Sequence, residues 1–212
     1  MSAPFPQAAF IPISTLHDKA SRWFDRAHAA ILGALPCGRG CSGCCVGPFA
    51  ITILDVAELH KGLASLAPPV ARAIEVQARS QAATLIASHP RLAASPYLDD
   101  WSDLEQDQLA ERFAELPCPA LGAEGECRVY AFRPVTCRAM GIPVEENGFV
   151  EGACEIQTAV PIVRVPEALR EEEDRLVDQE ASELDALRGA TQVAGDEVLI
   201  TFGFLTDRAP VA

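Results

Sequence analysis

Aromatic residues are scarce in this chain. They make up 6% of its 212 residues, with only two Trp and two Tyr, so any core has to be built from Leu, Ala, Val and Ile. Basic residues are few as well: 17 Lys and Arg stand against 30 Asp and Glu, a formal charge of -13. Nucleic-acid binding through a broad basic face is excluded by that balance, because neutralising phosphates needs the opposite sign. An anionic membrane surface is disfavoured on the same ground. No run approaches the roughly 18 uninterrupted apolar residues of a membrane span. The first fifteen residues hold no basic stretch followed by an apolar one, and Pro4 and Pro6 interrupt them. The expected setting is therefore the cytoplasm, where thiols stay reduced. Hydrolase signatures are missing too, with neither Gly-x-Ser-x-Gly nor His-Glu-x-x-His. No Gly-rich strand-turn-helix loop for a nucleotide follows any candidate strand.

What is present suffices for a folded core: 49% of residues are hydrophobic and the mean hydropathy is +0.13. At about 150 residues per domain, the length fits one domain over 1–212. The charge is uneven. Residues 1–98 hold 8 basic and 5 acidic groups, so the remainder carries 9 and 25, concentrated in Asp99 to Glu126 and Glu167 to Asp185. These stretches read first as solvated helix faces and second as a docking surface for a basic protein partner.

The periodicity is mostly helical. Thr15 with Asp18 resembles a capping box. Leu16, Ala20, Trp23, Ala27, Ile31 and Leu35 then follow at helical spacing, up to Pro36. Thr52 with Asp55 repeats the capping pattern before a short helix to about Leu63. Pro68-Pro69 opens a longer helix to about His89, with Val70, Ile74, Ala78 and Leu85 on its buried face. A further helix spans about Ser102 to Glu115, stopped by Pro117. Glu146-Asn147-Gly148 between Ile142-Pro-Val144 and Phe149-Val150 predicts a hairpin. A helix follows from about Pro166 to Arg188. Val198 to Leu205 reads equally as strand or helix start. The expected fold is mainly α: a compact, metal-stabilised domain with a Cys/Gly-rich loop and a small irregular β-hairpin portion.

The loop is the unusual feature. Four of the eight cysteines fall within nine residues: Cys37, Cys41, Cys44 and Cys45, amid Gly38, Gly40, Gly43 and Gly47. Folding several sulfurs toward one point needs backbone that reaches φ > 0, which glycine supplies. Free backbone N–H groups can then hydrogen-bond to metal-bound sulfur. The other four, Cys118, Cys127, Cys137 and Cys154, lie beside turn formers, and each is a candidate ligand. Arg128, Arg133 and Arg138 bracket Cys127 and Cys137. Their guanidinium groups could offset thiolate charge or pair with the abundant carboxylates. Tyr130 reads as a packing residue with a locally bonded hydroxyl. His17, His28, His60 and His89 read as surface or capping residues.

The sequence resembles the YkgJ-type cysteine-cluster family, also called the CxxCxxCC family of zinc- or iron-chelating domains. The resemblance rests on Cys37, Cys41, Cys44 and Cys45 as the opening cluster, on Leu116-Pro117-Cys118, and on the run from Cys127 through Tyr130, Arg133 and Pro134 to Cys137 and Arg138, closing with Cys154. Three residues separate Cys37 from Cys41, where the family label has two. The resemblance implies metal chelation over a core of about 36–154, flanked by the N-terminal helix and the acidic C-terminal one.

The metal can be argued from spacing. Structural zinc sites draw ligands from two Cys-x₂₋₄-Cys knuckles. The opening cluster makes one, and the dispersed cysteines make none. Close thiolates with a remote fourth suit a [4Fe–4S] cluster, so an iron–sulfur cluster is favoured over zinc. In an extended backbone Cys44 and Cys45 point apart and would serve two neighbouring ions, or one ligand and one supporting thiol. Eight sulfurs also allow two four-coordinate sites. The spacing of Cys37, Cys41 and Cys44 is shared with radical S-adenosylmethionine enzymes. The segment before Cys37 reads as helix rather than strand, however, and no strand–helix alternation follows. The expected function is a metal-binding protein whose clustered thiolates hold an iron–sulfur cluster or zinc in a redox or structural role. The alternatives are an iron–sulfur-dependent enzyme, such as a protein-lysine methyltransferase, which the resemblance suggests, and a zinc-stapled interaction module.

Overall fold

The computed structural model describes residues 14–31, 40–140, 142, 144–146, 149–151, 165–190 and 194–205. It is mainly helical. Helix α1 (Ser14–Ala30) buries Leu16, Ala20, Trp23 and Ala27, and Ile31 just beyond it, the stripe that the spacing predicts. Ser14 is already helical, so Thr15 lies inside the first turn and not at its cap. Leu35 and Pro36 lie outside the described residues.

Strand β1 (Ala50–Thr52) leads directly into α2 (Ile53–Ser65). Thr52 is the N-cap, and the capping box closes through Asp55 N–H to Thr52 Oγ1 at 3.4 Å and Thr52 N–H to Asp55 Oδ2 at 3.3 Å. Helix α3 (Pro68–Ser88) starts on its two prolines, which need no hydrogen-bond partner in a first turn. It buries Ile74, Ala78, Gln81, Ala82 and Leu85, while Val70 is half-buried. A short α4 (Arg91–Ala94) precedes α5 (Asp103–Arg112), which Ser102 and Glu105 cap reciprocally. Helix α5 ends short of Glu115, because Phe113 to Leu116 tighten into turns.

Beyond a 3₁₀ turn (Tyr130–Phe132) comes α6 (Val135–Ala139), then strands β2 (Val144–Glu146) and β3 (Phe149–Glu151). These pair antiparallel with Glu146 opposite Phe149, the register of a two-residue hairpin. Asn147 and Gly148 themselves lie outside the described residues. Helix α7 (Glu167–Ala190) packs along α1, with Leu176 and Leu184 buried. Trp23 Nε1–H donates to the Leu169 carbonyl at 2.8 Å.

The ambiguous segment near the end is both things in turn. Strand β4 (Glu197–Leu199) pairs antiparallel with β1, Ala50 opposite Leu199, and runs straight into α8 (Ile200–Gly203). This stitches the end of the chain to its middle and sends Ile200, Phe202, Phe204 and Leu205 into the core. Full burial of a side chain such as Phe204 stabilises by about 1.5–3 kcal/mol. Among the described residues no helix is long and apolar enough to cross a membrane.

Candidate metal centre

The loop at 41–47 and the remote segment 116–128, which folds back on itself, are laced together by backbone hydrogen bonds. The loop at 41–47 turns through Cys45 N–H to Ser42 O at 2.9 Å, with Gly40 and Gly47 at φ 94° and 82°. Its outgoing strand meets 116–118. Gly47 N–H donates to Leu116 O and Cys118 N–H to Cys45 O, both at 2.8 Å. Within that segment Arg128 N–H reaches back to Ala120 O at 3.0 Å, Leu121 bridges Cys127, and Gly125 turns at φ 80°. Cys137 comes last, on α6.

The result is that Cys41, Cys44, Cys45, Cys118, Cys127 and Cys137 all line one cavity of about 60 Å³. Its remaining wall is largely apolar, with Phe24 from α1, Phe49, Leu59 from α2, Val129, and Ile200 and Phe204 from the C-terminal segment. Cys37 and Cys154 lie outside the described residues. Among those described, no three His, Cys, Asp or Glu side chains stand at coordination spacing around one point. The six thiols form a collar around a cavity, not a closed ligand sphere.

The sulfurs carry clear signs of their surroundings. The Cys45 thiol donates to Cys44, which, with its own backbone N–H and the Arg133 guanidinium, lowers the Cys44 pKa to about 6 against the opposing effect of burial. The same bond, then burial, pushes Cys45 up. Burial raises Cys118 to about 12, although the N–H groups of Ala120 and Leu121 both point at its sulfur and work the other way. Cys127 is raised by burial and opposed by the Val129 N–H. Burial raises Cys137 well above the ordinary thiol value, with the charges of Cys118 and Asp55 adding to it.

Cys118 thus starts a tight turn: Leu121 N–H donates to the Cys118 carbonyl at 2.9 Å, and the N–H groups of Ala120 and Leu121 work against the effect of burial on its thiol. The spacing of the dispersed cysteines gives no hint of this turn. Cys44 and Cys45 also differ from expectation. They occupy a turn rather than an extended segment, so both thiols face the same cavity.

The three arginines divide. Arg128 pairs with Glu126 at 4.0 Å. Arg138, buried, spends its donors on the carbonyls of Arg133 and Ala131 and on Ser21 Oγ. Arg133 makes no ion pair among the described residues. Its guanidinium lies 3.6 Å from the Tyr130 ring centroid and 5.5 Å from that of Phe24, and it lines the cavity. There it supplies the positive charge that a cluster of thiolates requires. Two supporting residues are invisible to sequence reasoning. Gln81 on α3 donates to the Pro117 carbonyl at 2.7 Å, one residue from Cys118. His17, expected as a surface or capping residue, is buried against Asp55 at 2.8 Å.

Soft, clustered thiol donors fit zinc or iron. The N–H donors to Cys118 and Cys127 and the cation of Arg133 are the surroundings that such a centre needs. In comparison with known proteins, one family model matches: CxxCxxCC, "Putative zinc- or iron-chelating domain", over residues 36–155. No curated protein and no solved structure matches the chain.

Proposed function

The chain belongs to the CxxCxxCC family, and from that premise we propose that it binds iron or zinc through Cys41, Cys44, Cys45, Cys118, Cys127 and Cys137, joined by Cys37 and Cys154. The observation that carries this reading is the gathering onto one cavity of six thiols, three from the loop at 41–45 and three from the remote segment that runs from Cys118 to Cys137. Six exceed the four that a single tetrahedral ion uses, so the reading favours a polynuclear centre, and among these an iron–sulfur cluster in a redox or structural role. The thiols would hold the metal. The Ala120, Leu121 and Val129 N–H groups would relieve charge on sulfur, and Phe24, Phe49 and Phe204 would keep water out. When bound, such a cluster supplies one-electron chemistry or a structural staple.

The test is the metal and acid-labile sulfide content of anaerobically purified protein, together with its visible spectrum. Iron and sulfide in equal amounts with brown absorbance would support the cluster. Colourless protein holding zinc alone would overturn it in favour of a structural zinc site. Neither metal would overturn the chelation reading for this chain.

A further inference from the structure

Outside the thiol collar, the most deeply buried polar side chain among the described residues is Asp55, which is fully buried. A buried carboxylate is costly unless every lone pair is used, and three donors converge on this one. Oδ2 accepts the Thr52 N–H that completes the α2 capping box. Oδ1 accepts His17 Nε2 from α1 at 2.8 Å and the backbone N–H of Val135 at 2.9 Å. Val135 is the first residue of α6, whose third is Cys137.

Helix α6 has five residues and cannot hold itself in place. Among the described residues, the hydrogen bonds that tie it to the chain before it are this bond to Asp55 and those of Arg138 to Ser21 on α1 and to the carbonyls of Ala131 and Arg133 in the turn just before it. Of these, the bond to Asp55 alone reaches α2. The capping box alone would need only the bond from Thr52. His17 brings nothing to that cap, yet it is buried to 2% exposure to reach the same oxygen that holds α6.

We propose that Asp55, held in place by His17, is a positioning residue of the metal centre: it pins the start of α6 and so fixes the Cys137 thiol against the collar. The proposal rests on the chelation reading for its metal consequence, but its geometric content, the placement of Cys137, stands apart from any metal. The same arrangement ties α1, outside the family match, to a sulfur inside it.

The test uses the full chain with Asp55→Ala, Asp55→Asn and, as a destabilised control away from the site, Ile74→Ala. The first readout is metal-free: the rate at which Cys137 is alkylated, followed by mass spectrometry. The second is cobalt(II) titration, reading the thiolate-to-metal charge-transfer band and the affinity. Asp55→Ala should expose Cys137 at least tenfold faster than the wild type. It should also lose one thiolate's share of the cobalt band and weaken binding by about 10–100-fold, as outer-shell losses do. Asp55→Asn keeps an oxygen for the Val135 N–H and should retain most of both. Ile74→Ala should leave the alkylation pattern and cobalt band unchanged.

Equal Cys137 protection in Asp55→Ala and the wild type would overturn the proposal, and so would a change in Ile74→Ala as large as that in Asp55→Ala. A wild type that takes up no cobalt, while Cys137 is exposed only in Asp55→Ala, would uphold the positioning role and overturn the chelation reading instead.

Discussion

Replacing Gly62 by alanine sets two effects of opposite sign against each other. In an exposed helix interior, Gly→Ala stabilises by about 1 kcal/mol, because alanine loses less backbone entropy on folding. Gly62 lies inside α2, but a Cβ there would stand 2.9 Å from Phe132 Cβ, 3.1 Å from its Cγ and 3.2 Å from its Cδ2. Phe132 Cβ is fixed by the backbone, so no rotamer change relieves that contact and the 3₁₀ turn at Tyr130–Phe132 must move. Overpacking of this kind costs about 1–3 kcal/mol, which outweighs the helix gain and leaves a net loss of about 1 kcal/mol. Gly189 in α7 provides the comparison, since a Cβ there meets nothing within 4 Å. Gly189→Ala should stabilise by about 0.5 kcal/mol, a reduced gain in a last helical turn. Urea unfolding of the chelator-treated protein measures both. The displaced turn lies between Cys127 and Cys137 and carries Tyr130 beneath Arg133. Gly62→Ala should therefore also weaken metal binding, by about tenfold on the scale of outer-shell changes, while Gly189→Ala leaves it unchanged. If Gly62→Ala proved as stable as Gly189→Ala, the close approach of this turn to α2 would be refuted.

Serine at Cys41 or at Cys44 should abolish metal retention and lower the melting temperature of the loaded protein, because thiolate ligation is coupled to folding in such sites. Metal analysis and circular dichroism check this, and full retention in both variants would remove the loop from the site. Glu180 governs a separate, pH-dependent effect. Burial, then the charge of Asp55, raise its carboxyl from 4.5 to about 7, although the Thr52 hydroxyl donates to it at 3.2 Å. The folded chain thus keeps a proton that the unfolded chain releases near 4.5, so stability falls as pH rises between these values and the loss is complete above about 7. A shift of this size corresponds to at most about 3 kcal/mol, and to about 1–2 kcal/mol for a group that solvent still partly screens. Glu180→Gln should be the more stable protein by that amount at pH 8 and no more stable at pH 4. Equal pH slopes for the two would show that the carboxylate is not strained in the fold.

The helical skeleton was legible because each helix carries its own signals. The capping box of Thr52 with Asp55 forms as that pair requires and Pro68-Pro69 opens α3, whereas Thr15 with Asp18 does not cap, because α1 already begins at Ser14. The stripe from Leu16 to Ile31 is buried throughout. Legibility stopped where one residue answers to two elements. Asp55 reads as a cap for its own helix, but its second oxygen also serves α6, some 80 residues away, and nothing local announces that. His17 was misread for the same reason, since a histidine in an amphipathic helix gives no sign that a carboxylate waits beneath it. The cysteines show both sides. Glycine around Cys41 to Cys45 correctly signalled a turning backbone, and that turn brings Cys44 and Cys45 to one cavity, where an extended reading set them apart. Val198 to Leu205 could not be resolved because strand pairing with Ala50–Thr52 and helix both occur within it.

The family match ends at residue 155, but the wall of the cavity does not. Phe24 comes from α1, and Ile200 and Phe204 come from the segment that β4 stitches to β1. These residues determine how dry the thiols are, and burial is the largest cause raising Cys118, Cys127 and Cys137. A thiolate in such surroundings is unfavourable until a cation compensates it. The apolar flanks thus oppose charged, empty thiolates, and Arg133 together with the backbone N–H groups of Ala120, Leu121 and Val129 offsets only part of that cost. In the proposed chelating role the remainder would fall to the metal, which must also displace the protons that burial holds on these thiols. On that reading affinity would depend on packing between helices outside the cysteine motif as much as on the motif itself. The same cysteine spacing on wetter flanks would ionise its thiols more readily and release fewer protons on binding a metal.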